Sequence, residues 1–184
     1  MKIKTIIIYF TFILFSKFSS AQSFDIGDNV IGLSFGIGGH YTTSSFGYSS
    51  QSPAIGIFYE KGMKWEAGPG IIGLGGYLGY KSLRYKTEFY DWKWSYTILG
   101  IRGAYHYEFT DNLDTYGGLM LSYNVVSFTD RSPSGYLFTG GSASGIDLSL
   151  FVGGRYYFSD NWGALAEIGY GIAYLSLGAV YKFH

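Results

Sequence analysis

Apolar and polar positions alternate along most of the chain. In 174–183, Leu175, Leu177, Ala179, Tyr181 and Phe183 share one parity, and Tyr174, Ser176, Gly178, Val180 and Lys182 share the other. A period of two marks a strand whose faces meet different surroundings. The pattern recurs in 146–158, where Ile146, Leu148, Leu150 and Val152 oppose Asp147, Ser149, Phe151 and Gly153. In 99–109, Leu99, Ile101, Tyr105 and Tyr107 oppose Gly100, Arg102, His106 and Glu108. Segments 31–37, 55–60, 117–125 and 164–170 behave alike, while Gly73, Gly75, Gly76 and Gly79 blur 72–81. The pattern predicts eight strands and no helix.

The connections differ in length on the two sides. Segments 110–114 and 159–163 read as short turns rich in Asp, Asn and Gly, and 171–173 as a short hairpin. A longer turn is expected near 61–69. Segments 39–53, 82–93 and 129–145 read as long polar loops. Residues 107–113 and 157–162 repeat an aromatic strand end running into a polar turn, which suits a meander of hairpins.

The first segment follows another rule. Lys2 and Lys4 precede an apolar run over 5–15, and Ser19-Ser20-Ala21 follows. A charged start, a short apolar core and a small-x-small site predict a secretory signal cut after Ala21. The run is about 11 residues, short of the about 20 that a spanning helix needs, and Lys17 would interrupt a longer one. One domain over 22–184 is expected, acidic by three charges once the leader lysines are lost.

Composition narrows the class. The chain holds 28 Gly, 21% aromatic and 14% charged residues, and no Cys. Low charge argues against disorder, and the absence of Cys excludes disulfides and thiolate metal sites. Thirteen basic against 13 acidic residues give no signal for nucleic acid. Eight antiparallel strands remove their edges by closing into a barrel. A soluble barrel would put the apolar face inside and a heavily charged face in water. Here the second face is mostly Gly, Ser and Ala, with Glu60, Lys81, Arg102, Glu108, Asp147, Arg155, Glu167 and Lys182. Their signs balance, as a lumen network requires. The expected fold is therefore all-β, an eight-stranded antiparallel up-and-down transmembrane β-barrel. Tyr59, Tyr105, Tyr107, Phe109, Tyr156, Phe158, Tyr181 and Phe183 share the apolar parity near the short turns and the C-terminus, and are expected to form a girdle at one membrane interface.

With leader, alternation, Asp-Asn turns and the ending Val180-Tyr181-Lys182-Phe183, the chain resembles the small outer-membrane β-barrels of Gram-negative bacteria. These are the OmpA-transmembrane, OmpX and OmpW-like group, and the turns and ending look most like barrels of the Bacteroidetes type. The resemblance covers 22–184. It implies outer-membrane lipid and lipopolysaccharide as surroundings, and barrel-assembly machinery as a partner during biogenesis. In that family a terminal aromatic on the lipid-facing parity is the sorting signal, which falls here on Phe183 with Tyr181 upstream. His184 follows, so the final position departs from the pattern. No peptidoglycan-binding domain is expected after the barrel.

Candidate chemistry is sparse. Gly32-Leu33-Ser34-Phe35-Gly36 matches a nucleophile-elbow string, but lies inside an alternating strand with no helix after it. His106 and Glu108 share the lumen face near Arg102, either as an acid–base pair or, as preferred here, within the charge network. The His-Ser spacing of outer-membrane lipid A deacylases is absent around His40 and His106. No catalytic residue, metal site or cofactor is expected. The long segments hold Tyr41, Phe46, Tyr48, Tyr85, Phe89, Tyr90, Trp92, Trp94, Tyr136 and Phe138, read as exposed aromatics for an unknown surface ligand or as a packed rim. Lys81, Arg84, Lys86 and Lys93 cluster near the second loop, facing lipopolysaccharide phosphate or solvent. The expected role is a non-enzymatic structural or surface-interaction barrel with a filled lumen. An OmpW-like conduit for small or hydrophobic solutes is the alternative, and a lipid A-modifying enzyme the remote one.

Overall fold

The computed structural model describes residues 23–40, 49–132 and 144–184. The leader expected over 1–21, and Tyr41, Phe46, Tyr48, Tyr136 and Phe138, lie outside the described residues. The strands are β1 (Asn29–Ile37), β2 (Ser50–Gln51), β3 (Ala54–Ala67), β4 (Gly70–Lys86), β5 (Asp91–Thr110), β6 (Leu113–Asp130), β7 (Gly145–Tyr157), β8 (Trp162–Tyr170) and β9 (Leu175–Phe183). Each long strand pairs antiparallel with its chain neighbours, β4 pairs with β5, and β1 pairs with both β3 and β9. Eight strands thus close an up-and-down barrel, and two-residue β2 adds to β4 at Ser50↔Arg84 and Gln51↔Leu83. Both described chain ends and the turns at 68–69, 111–112 and 158–161 lie at one end, termed here the terminal end. The long connections lie at the other, the rim end, together with the short β4–β5 and β8–β9 turns.

Three elements differ from the sequence reading. Segment 82–93 is not a loop, because β4 runs to Lys86 and β5 starts at Asp91. Segment 61–69 is mostly strand: β3 runs to Ala67, a bulge between Gly62 and Glu66 takes up the irregularity, and Gly68 makes the turn at φ 71°. Asp114 is not a turn residue but sits in β6, opposite Arg155.

The outward parity is apolar around the barrel. Ile101 is 72% exposed and Ile146 76% exposed, while Val30 and Ile98 on the inward parity are sealed. Each such outward side chain leaves apolar surface uncovered at about 25 cal/mol per Å² in water, so this belt is built for hydrocarbon. Towards the rim the faces exchange character. In β5, Trp94, Tyr96 and Ile98 point inward and are buried, whereas Lys93, Ser95 and Thr97 point outward. In β6, Val126 and Phe128 point inward while Ser127 and Thr129 point outward, and in β4 Leu83 is buried while Ser82 and Arg84 are outside. Below Leu99 and Val125 the barrel is apolar outside. Above them it is built like a soluble sheet. This inversion made 82–93 look like a loop: its alternation is intact but reversed.

Candidate functional site

The lumen is layered. Near the terminal end, Glu60 on β3 is buried at the centre of an ionic cluster. Arg155 Nη2 donates to Glu60 Oε2 at 2.7 Å, Arg102 Nε lies 3.6 Å from the same oxygen, and His106 Nε2 bonds Glu60 Oε1. The other ring nitrogen of His106 bonds Asp114 at 2.9 Å, and Arg155 Nη1 is 3.6 Å from Asp114. Arg102 Nη2 donates to Glu167 Oε1 at 2.7 Å, and Tyr116 donates to the same atom at 2.8 Å. Both His106 nitrogens face carboxylates, which only the doubly protonated ring satisfies as a donor. Arg102, Arg155 and His106 then balance Glu60, Asp114 and Glu167. Aromatic rings complete the shell. The Arg102 guanidinium lies between Phe58 (4.5 Å) and Phe151 (4.3 Å), and that of Arg155 lies over Tyr116 at 4.6 Å. Gly32 leaves the space that the Phe58 ring fills.

Of the charged residues read from the sequence, Glu60, Arg102, His106, Arg155 and Glu167 meet here. Lys182 lies below them, donating to the Ser23 carbonyl at 3.0 Å and sitting 3.8 Å from Asp28. Lys81 lies above, donating to the carbonyls of Gly38 and of Ile172, the latter at 2.9 Å. Two expected members are elsewhere. Glu108 is exposed, because it lies at the strand end where the β5–β6 register shifts between Glu108 and Thr110. Asp147 is half-buried and makes no ion pair among the described residues. The sequence reading missed Asp114, whose place in a turn-like Asp-Asn-Leu-Asp string hid its strand parity. It also missed the segment before β1: Phe24 is buried in the terminal mouth with its ring 4.3 Å from that of His106, and Asp28 receives His184 Nδ1 at 2.6 Å. No periodicity marks these residues, since they plug a hole rather than extend a sheet.

Above the ionic layer lies a cavity of about 50 Å³, lined by Ser34, Tyr77, Arg102, Ser149, Glu167 and Ser176 among others. Ser34, the centre of the elbow-like string, is buried on an unbroken strand near the Gly56 carbonyl, so the string is ordinary strand. Above the cavity the lumen is apolar: Leu83, Trp94, Tyr96, Ile98, Met120, Val126 and Ile172 form one cluster. Trp94 is therefore not an exposed loop aromatic. It packs on Phe128 at 5.3 Å, and Tyr85 stacks on half-buried Trp92 at 5.7 Å. Phe89 and Tyr90 at the hairpin tip are exposed.

Outside, the expected girdle residues all lie on the outward parity, from Tyr105 at 39% to Phe109 at 71% exposed, with Tyr181 less so. Trp162, read as a turn residue, joins them 5.0 Å from Tyr181. Tyr80, Tyr123, Tyr170 and Tyr174 are exposed towards the rim-side edge of the apolar belt, Tyr80 and Tyr123 within their strands, a second set that the sequence reading did not separate. Tyr170 bonds His40 at 2.7 Å. Among the four clustered basic residues, Lys81 is internal, whereas Arg84, Lys86 and Lys93 stand on the outward parity of β4 and β5 beyond the apolar belt. Arg84 forms a two-pronged bond to Asp91, which holds the Asp91 carboxyl below its ordinary range.

No family model matches the chain, and no curated protein matches it. Solved structures do. Ail, the attachment invasion locus protein of Yersinia pestis, in complex with the heparin analogue sucrose octasulfate, aligns at 15% identity and a TM-score of 0.51, over 86% of this chain and 99% of that one. A further Ail crystal structure gives 16% identity and a TM-score of 0.50, over the same 86% and 99%. The N-terminal β-barrel domain of Pseudomonas aeruginosa OprF aligns at 14% identity and a TM-score of 0.47, over 86% and 98%. The chain shares the eight-stranded transmembrane β-barrel fold.

Proposed function

We propose that the protein is an integral outer-membrane β-barrel of a Gram-negative bacterium, with the rim end outside the cell and a structural or surface-interaction role rather than a catalytic one. The observation that carries the reading is the exchange of face character within single strands, from Ile101 outward in the belt to Trp94 inward near the rim. A strand needs that exchange only where its surroundings change from hydrocarbon to water. The lumen supports a sealed barrel, because the Glu60 cluster and the Trp94 cluster fill successive layers. The outward Arg84, Lys86 and Lys93 sit where lipopolysaccharide phosphates would meet them. An N-terminal leader cut after Ala21 would leave Ser23 and Phe24 free to occupy the terminal mouth. Phe183, outward on β9 with Tyr181 upstream, is the assembly signal for the barrel machinery.

The purified protein in a planar bilayer is expected to give no stable conductance steps, and in cell fractions it should require detergent and show heat-modifiable gel mobility. Large stable steps would replace the sealed reading by a conduit. Recovery from periplasm without detergent would overturn the membrane placement. Phe183→Ala is expected to lower the assembled, heat-modifiable fraction several-fold, whereas Phe109→Ala leaves it near wild type. Equal assembly of both variants would remove the sorting role of Phe183.

A further inference from the structure

The cavity between the ionic and the apolar layers has a floor, a roof and an unanswered polar group. Its floor is the Arg102–Glu167 pair. Its roof is the β8–β9 turn, which folds into the barrel mouth instead of pointing away from it. Gly171 holds φ 135° there, and the buried Ile172 side chain drops into the apolar cluster. Only a residue without a Cβ fits this bend, since a side chain at Gly171 would strike the Ser149 hydroxyl.

Lys81 holds the roof from the opposite wall. It rises from β4, is fully buried, and donates both to Ile172 of the turn and to Gly38 at the end of β1. One ammonium thereby ties three elements across the mouth. Below it, the Ser149 hydroxyl is buried and has no hydrogen-bond partner among the described residues. It lines the cavity together with Tyr77, Ser34, Ser176 and the Arg102–Glu167 pair. A buried hydroxyl facing a cavity of about 50 Å³ of mixed polar and apolar lining fits water, which needs on the order of 10–15 Å³ per molecule by this measure and two to four polar partners, here Ser149, Ser34, Tyr77 and Glu167.

We propose that this chamber is an internal water-binding site reached from the rim end past the β8–β9 turn, and that Lys81 is the latch that keeps the turn closed. Water supplies the missing partner of Ser149 and links it to Glu167 and Tyr77. The latch works because one buried cation joins the Ile172 carbonyl of the turn to the Gly38 carbonyl, which Gln51 Nε2 also reaches at 2.7 Å. Losing the ammonium leaves the Ile172 carbonyl seeking water, while Gly38 keeps Gln51, and so favours lifting of the turn. The guest is water, and the experiment separates water from an empty chamber and an opening turn from a static one.

The chain has no cysteine, so one thiol reports alone. Ser149→Cys is labelled with a methanethiosulfonate ethylammonium reagent in purified, detergent-folded protein, beside Thr87→Cys at the exposed β4–β5 tip as reference. The expected rate at position 149 is at least about 100-fold below the reference, and Lys81→Met raises it at least about 10-fold without changing the reference. Rates equal at the two positions would show that no chamber is enclosed. An unchanged rate at position 149 after Lys81→Met would overturn the latch. Folding is checked by heat-modified mobility. If Lys81→Met does not fold, Ile172→Ala loosens the same turn without touching Lys81, is expected to raise the rate likewise, and refutes the moving roof if it does not. A crystal structure is expected to show ordered water within hydrogen-bond distance of Ser149 Oγ, and an empty chamber there would overturn the water site.

Discussion

Glu60 has no exposed surface and touches Arg155, Arg102 and His106 at once. Removing its charge leaves two buried guanidinium groups short of a partner. Glu60→Gln is therefore expected to cost about 3–5 kcal/mol of stability, read from urea unfolding in micelles by tryptophan fluorescence. Glu108→Gln is expected to change stability by less than about 0.5 kcal/mol, because that carboxylate is exposed at the strand end, beside the register shift. A similar cost for both would mean that charge on this parity matters regardless of burial. At this scale Glu60, Arg102, His106, Arg155 and Glu167 were legible, since parity alone places them inside. Asp114 was not, because a single Asp beside a turn carries the same signal in strand or loop.

The element that departs most from expectation is the β4–β5 hairpin with its continuation in β6. Its residues alternate as regularly as the belt, but Trp94, Tyr96 and Ile98 face inward where the belt faces outward. A rule that assigns apolar residues to one fixed face reads this stretch as an irregular loop. The strand itself never breaks: β5 keeps its pairing from Asp91 to His106 with β4. If the inward face is a packed core, Trp94→Ala should cost about 3–5 kcal/mol, while Ser127→Ala on the water side stays within about 0.5 kcal/mol. A Trp94→Ala variant as stable as wild type would show the rim sheet to be an appendage.

At the scale of the whole molecule, the outer belt determines where the barrel can reside. Ile101 stands near the middle of that belt and is 72% exposed. Ile101→Arg is expected to reduce folding stability in phospholipid vesicles by about 2–4 kcal/mol, the cost of a cation at bilayer midplane. Lys93 already presents a cation on the same face of β5 nearer the rim, and Lys93→Ala is expected to change vesicle stability by less than about 1 kcal/mol. A neutral Ile101→Arg would mean that water, not lipid, surrounds the belt. The lumen and the belt are complementary consequences of one arrangement. Closing eight strands gives an interior that side chains just fill, and the remaining apolar face has no protein left to cover it.

The sequence by itself determined the number of barrel strands, the antiparallel meander and the two faces of each belt segment. These follow from a local period of two and from turn chemistry, which need no knowledge of distant residues. Only the tertiary structure decided which charges meet, because the partners of Glu60 come from β5 and β7 across the closed barrel. It alone placed Phe24 in the terminal mouth and Lys81 on the β8–β9 turn, since neither contact has a periodic signature. It also showed that the faces exchange towards the rim. The alternation tells two faces apart, but which of them is inside depends on where along the barrel axis the surroundings change.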